Sequence, residues 1–340
     1  MKKKRIVWLD AVRGWAIILV ILGHTDISKM NKEIFTWIYS FHIPLFFIIS
    51  GMVFSIKEVK YTKFLKNKVI TLLVPYIVFR IIEIMFGMIY STMLGSSITY
   101  IDIRNRVVGL FLQSRGTVYE SGLWFLTCLF LMQNVMYYIE KIKIQRIKYI
   151  CIASIVCIGI WYQIFVNKPL PWYIEILFTC FIFIYLGYYM KNIIIKDKTG
   201  GYIHIIILTS IHLFATFLNF KISGHSTDLY WNCYGNFILF YIAALSGAVV
   251  WILIFKKIYI KGKLLAYIGK NSLIFYVLHQ NIIMPICGKI FKYIVDYQKL
   301  TYIKRMGYFG IETIMVCMMI VPCAYIINKF FPFIVGKSKK

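Results

Sequence analysis

The chain is poor in charge, and poorest in negative charge. Charged residues make up 15% of its 340 residues, and only 13 residues are Asp or Glu. A soluble domain carries about 25% charged residues, so an ordinary soluble enzyme is a poor fit. Disorder requires low hydrophobicity, and here the apolar residues, counted with Tyr, reach 60%. Eight Cys are present but none forms a CxxC pair, and nearly all lie inside apolar runs. The spacing signatures of zinc and redox motifs are therefore missing, and the Cys read as small buried hydrophobes. There are only seven Pro, and no low-complexity linker or internal repeat divides the chain. A single domain over 1–340 is expected.

Long apolar runs are what the chain has in quantity. A membrane-crossing helix needs about 20 mostly apolar residues. Ten such runs are visible, at 7–24, 34–54, 69–94, 122–139, 147–166, 171–190, 202–219, 233–255, 264–287 and 308–331. The expected fold class is all-α, a polytopic membrane protein with about ten transmembrane helices. The first run follows Met1-Lys2-Lys3-Lys4-Arg5, as a signal peptide would. Asp10 and Arg13 interrupt it, however, and no small-residue cleavage site follows, so it is read as a retained helix.

The formal charge of +26 invites a nucleic-acid reading. The Lys residues instead sit in short clusters between apolar runs, which is the pattern of a topology signal. With the N-terminus in the cytoplasm, inner segments hold 24 of the 39 Lys and Arg and outer segments hold 12. Cytoplasmic loops carry such an excess. Both termini are thus expected in the cytoplasm, in a multi-pass protein of the cell membrane with the lipid bilayer, and not nucleic acid, as its surroundings. The outer segment 288–307 holds five cations and is expected to be amphipathic or partly re-entrant. The outer loop 95–121, with Arg104, Arg106, Arg115, Gly116 and Glu120, is expected to cap the outer face.

Ionisable residues within spans are expensive, so each marks a candidate site. Asp10 and Arg13 are neighbours at i and i+3, and the plain alternative is a structural pair. His24 follows Arg13 by eleven residues. Eleven steps of about 100° return within about 20° of the starting direction, with a rise of about 16 Å. Asp10, Arg13 and His24 therefore share a face, with Arg13 inward and His24 at the outer end. In the second run, Pro44 removes a backbone hydrogen bond, and broken spans line cavities, so His42 is either a packed core residue or a site residue. Arg80 and Glu83, again at i and i+3, read as a structural pair. Trp124 is either an interfacial residue or a platform for a sugar ring. Asn271, Ser272 and His279 are expected to project into one cavity, since Ser272 and His279 lie seven residues apart on one helix face. Glu175, His204, His212 and Glu312 read as packing or interface groups.

These residues resemble a known family. Arg5-x4-Asp10-x2-Arg13-Gly14 with Arg13-x10-His24 looks like the opening of the acyltransferase-3 family of membrane acyltransferases. Phe46-Phe47-Ile48-Ile49-Ser50-Gly51, Leu123-Trp124-Phe125-Leu126 and Asn271-Ser272-x3-Tyr276-x2-His279 resemble its later signatures. The string Phe41-His42-Ile43-Pro44-Leu45-Phe46-Phe47 is similar to the fucose 4-O-acetylase-like branch. The resemblance implies O-acylation of an extracytoplasmic or lipid-linked glycan, usually from acetyl-CoA, and maps the family's Arg and His onto Arg13 and His24. A polysaccharide or small-molecule transporter is the alternative, because one related branch has been labelled an exporter.

Acyl transfer needs a base, donors for the oxyanion and a water-poor site. His24 is the expected base, since an imidazole titrates near ~6.5, with His42 and His279 as second candidates or a relay. Asp10, about 21 Å from His24 along an ideal helix, is expected to hold Arg13. Arg13 suits the phosphates of acyl-CoA, and Asn271 and Ser272 are expected as further donor-binding groups. Trp124 is expected to bind the acceptor. No metal and no permanently bound cofactor is expected. A transporter built from repeats would show matching broken helices in its two halves, and none is visible here.

Overall fold

Each apolar run folds as a helix because only internal hydrogen bonding satisfies a backbone in lipid. The computed structural model describes residues 6–25, 31–56, 60–95, 97–118, 121–196, 201–257, 263–295 and 300–337. The expected Arg5 and Glu120 lie outside the described residues. The helices are α1 (Val7–His24), α2 (Lys32–Val53) and α3 (Tyr61–Lys68), which runs through a π-helical turn, Val69–Leu73, into α4 (Val74–Met93). Then come α5 (Tyr100–Phe111), α6 (Trp124–Lys141), α7 (Gln145–Phe165), α8 (Ile174–Lys196), α9 (Tyr202–Ser223) and α10 (Phe237–Lys257). The chain closes with α11 (Lys263–Lys270), α12 (Ser272–Leu278), a second π turn at His279–Ile283, α13 (Met284–Ile294) and α14 (Tyr302–Phe330). Among the described residues there is no β-strand, only an isolated bridge between Asp228 and Cys233.

Nine of the described helical segments are long and apolar enough to cross a membrane. The protein is therefore an all-α polytopic membrane protein. The remaining expected run is α6, which forms but carries Gln133, Asn134, Glu140 and Lys141 along its second half. Its buried residues, Met132 and Met136 among them, place it inside the main core cluster.

The glycines of the sequence motifs are points of helix contact. A Cβ on Gly14 would collide with the Leu265 carbonyl, and one on Gly269 with the Asp10 carbonyl. The backbones of α1 and α11 thus touch, which only small residues allow. Gly51 and Gly187 do the same for α2 and α8, against the carbonyls of Ile184 and Ile48. These two crossings fix the height of α1 and α2 in the bundle.

Polar segments gather at two ends. At one, Arg115 bonds Asn167 and Glu175, Trp172 bonds Phe111 and Gln113, and Asn232 bonds Asn167. The loop 95–121 contributes Arg115 to this cap, and its helix α5 is started by a Thr99–Asp102 capping box. At the other end, Tyr61 bonds Asn134 and Lys148 pairs with Glu140.

Two details depart from the sequence reading. Pro44 does not break α2, which runs unbroken past it. The break lies in the ninth expected span instead, at Asn271 and again at the π turn. The cationic segment 288–307 is largely helical, with Lys289 on α13 and Lys304 and Arg305 in the first turn of α14.

Candidate active site

α1 carries its two motif residues into two different cavities. Arg13 pairs with Asp10 at 3.4 Å. It lines an apolar cavity of about 170 Å³ together with Ile17, Ser50, Leu72, Phe125 and Ser272. His24 opens on a second, more polar cavity of about 480 Å³, lined also by His42, Arg80, Trp124, Asp228 and Trp231. Ile43 of α2 lines both. Arg13 and His24 thus each line a cavity, and Ile43 is common to both.

Behind His24 lies His279, with ring centroids 5.1 Å apart. His279 is buried, and its Nδ1 is 2.7 Å from the Tyr276 carbonyl. A carbonyl only accepts, so Nδ1 donates and Nε2 keeps its lone pair. That Nε2 is buried and has no hydrogen-bond partner. His42 is held the same way, its Nδ1 donating to Ile38 O at 2.7 Å, with its ring 4.8 Å from that of Tyr39. The Tyr276 hydroxyl donates to Gly122 O at 2.8 Å and accepts from Phe125 N at 3.2 Å. The Tyr276-x2-His279 and Leu123-Trp124-Phe125 motifs are thus one network that ties α12 to the start of α6. His279 opens the π turn, a feature often found at functional sites. After it Gln280 and Asn281 line the larger cavity.

Asn271, Ser272 and His279 do not share a cavity. Ser272 lines the Arg13 cavity. The Asn271 amide oxygen accepts from Asn328 at 2.9 Å and Lys337 at 3.3 Å, and its nitrogen donates to Tyr267 O at 3.0 Å. It ties the C-terminal segment to the helix break. The sequence reading failed here because residues on one helix face need not sit at one depth. Seven residues rise about 10 Å.

Trp124 reaches the larger cavity but is buried, with Tyr173 at 5.5 Å and Phe125 at 6.1 Å between ring centroids. It is enclosed by protein at the cavity wall rather than exposed to lipid. Arg80 and Glu83 form the expected pair at 3.2 Å, and Asn281 donates to Glu83 at 3.2 Å. Arg80 also lines the larger cavity, which the pairing reading missed. Glu175, read as a packing group, pairs with Arg115 at 3.2 Å.

Sequence reasoning missed Tyr39, Asp228, Tyr230 and Trp231, all on the larger cavity. The last three lie in the loop between α9 and α10, where a charge beside aromatic residues was the available signal. Asp228 accepts from the backbone N–H groups of Tyr230 at 3.0 Å and Trp231 at 3.4 Å. Burial outweighs those bonds and pushes its carboxyl up to about 6. Among the described residues no group of three His, Cys, Asp or Glu is arranged to hold a metal ion.

The arrangement offers an imidazole pair in which the buried His279 Nε2 has no hydrogen-bond partner, an apolar cavity with an Arg, and a polar, aromatic cavity that shares Ile43 with it. No relative among the curated proteins matches the chain. A family model described as an acyltransferase domain, that of acyltransferase-3, matches residues 6–328. The chain belongs to the acyltransferase-3 family and is a membrane acyltransferase.

Proposed function

We propose that this acyltransferase moves an acetyl group from cytoplasmic acetyl-CoA to a hydroxyl of an extracytoplasmic or lipid-linked glycan, in the cell membrane. The observation that carries the reading is the pair of cavities along α1, one with Arg13 and one with His24, with Ile43 common to both. Arg13 and His24 are about 16 Å apart along the helix, a span suited to an extended thioester arm. The Arg13 guanidinium binds donor phosphate through its planar fork. The apolar cavity passes the arm and keeps water from the thioester. The motif string around His42 fits the fucose 4-O-acetylase-like branch.

In this reading the acceptor hydroxyl lies in the larger cavity. His24 takes its proton as the hydroxyl oxygen attacks the thioester carbon. The C–S bond then breaks, and the CoA thiolate leaves with the proton from His24. His279 is a positioning residue, because its bare Nε2 stabilises the ring of His24 while that ring carries the extra proton. The oxyanion draws on N–H groups of the same cavity, those of Arg80 and Gln280, rather than on Asn271.

The test is a proteoliposome assay with labelled acetyl-CoA and a cell-envelope glycan acceptor. Transfer by the wild type and its loss in folded His24→Ala is the expected result. A folded His24→Ala protein with near wild-type transfer overturns the assignment of the base.

A further inference from the structure

The loop between α9 and α10 is built more firmly than a connection requires. Backbone bonds pair Asp228 with Cys233 at 2.8 and 2.9 Å. Ser226 bonds Thr36 at 2.6 Å, and Asn232 bonds Asn167, which also holds Arg115. Within this frame one carboxylate oxygen of Asp228 takes both backbone donors. The other makes no hydrogen bond among the described residues, while the residue lines the His24 cavity. Trp231 lines it too, yet its side of the loop stays open, at 48% exposure. Gly116 leaves room for the indole, since a Cβ there would lie 3.2 Å from it.

We propose that Asp228 and Trp231 form the acceptor subsite, and that the acceptor unit is a neutral pyranose. The apolar face of the sugar packs on the indole. Two adjacent hydroxyls donate to the Asp228 carboxylate, which turns a third toward His24. A carboxylate at this point repels uronates and phosphorylated sugars. The one Lys or Arg among the described residues of the cavity wall, Arg80, is already paired with Glu83. This inference rests on the reading of His24 as the base.

The experiment uses wild type, Asp228→Asn and Trp231→Leu in proteoliposomes. The probes are labelled acetyl-CoA with methyl glucoside, methyl galactoside, methyl mannoside or methyl glucuronide. Asn keeps the oxygen that accepts the two backbone bonds and removes the charge, so the loop survives. The expected result is wild-type transfer to a neutral glycoside in preference to the glucuronide. Asp228→Asn then raises the acceptor KM about tenfold or more, as loss of a charge-assisted bond does, with the acetyl-CoA KM unchanged. Trp231→Leu raises the acceptor KM in the same way. Quenching of tryptophan fluorescence by the glycoside weakens in parallel in Asp228→Asn. An unchanged acceptor KM in both variants overturns the subsite. So does preference for the glucuronide, or consumption of acetyl-CoA with transfer to no neutral glycoside. A wild type that neither transfers nor hydrolyses acetyl-CoA overturns the underlying acyltransfer reading instead.

Discussion

His24 and His279 meet with ring centroids 5.1 Å apart, one from the last turn of α1 and the other from the π turn after α12. His24 lines the cavity, whereas His279 is enclosed and its Nε2 has no hydrogen-bond partner. The two rings are expected to act as a unit. His24→Ala should lower kcat by about 10²-fold or more, the usual worth of a general base. His279→Ala should lower it less. The double variant should be no slower than His24→Ala alone, because groups that act together are not additive. Steady-state kinetics in proteoliposomes checks this. Effects that multiply would show two independent roles.

Arg13 sits on the other cavity and should report on the donor alone. Arg13→Gln combined with Asp10→Asn removes both charges of the 3.4 Å pair. This variant should raise the acetyl-CoA KM about tenfold or more and leave the acceptor KM unchanged. Arg13→Lys should lie between it and the wild type, since Lys keeps the charge and loses the fork. A rise in both KM values would mean that the substitution has moved α1 rather than removed a donor contact.

The helices and the inward histidines were legible for one physical reason. In an apolar run, any ionisable residue stands out against the cost of putting it there. Arg13, His24, His42 and His279 stand out in this way. Asp228 and Trp231 do not, because a charge in a connecting loop costs nothing that sequence can display. Asn271 is expected from the sequence as a donor-binding group. The break at Asn271 instead makes its amide a tie for Asn328 and Lys337. Position along the membrane normal, set by contacts such as Gly14 on Leu265, is not encoded in helical period.

Those backbone contacts should be the least tolerant positions of the fold. Gly269→Val places a branched side chain against the Asp10 carbonyl, which belongs to backbone and cannot give way. Overpacking of this kind costs about 1–3 kcal/mol or more. The melting temperature in detergent should fall by several degrees, and activity should fall with it, since α1 carries both Arg13 and His24. Gly310→Val is the control. A Cβ there meets no atom within 4 Å among the described residues, so it should melt near the wild type. Equal melting of the two variants would remove the argument that α1 is set by close approach.

Asp228 should make the protein less stable as pH rises, the reverse of an ion-paired carboxylate. An unfolded Asp titrates near ~3.9, and burial pushes this one up to about 6 in the fold. Between those values the folded state binds more protons than the unfolded one, so stability falls as pH rises through the window. The full cost, on the order of 2–3 kcal/mol, is present above pH 6. Asp228→Asn has no charge to bury. It should therefore melt above the wild type at pH 8, with the gap closing by pH 4. His24, His42, Tyr39 and Arg80 face the same cavity. They are common to both proteins, so the difference between the two melting curves isolates Asp228. A gap of equal size at pH 4 and pH 8 would assign it to packing rather than to charge. A variant that melts below the wild type at pH 8 would mean that the carboxylate is held ionised by a partner. Burying a charge at a net cost is an arrangement that folding alone would not favour. It fits a carboxylate kept at that point for an acceptor to use.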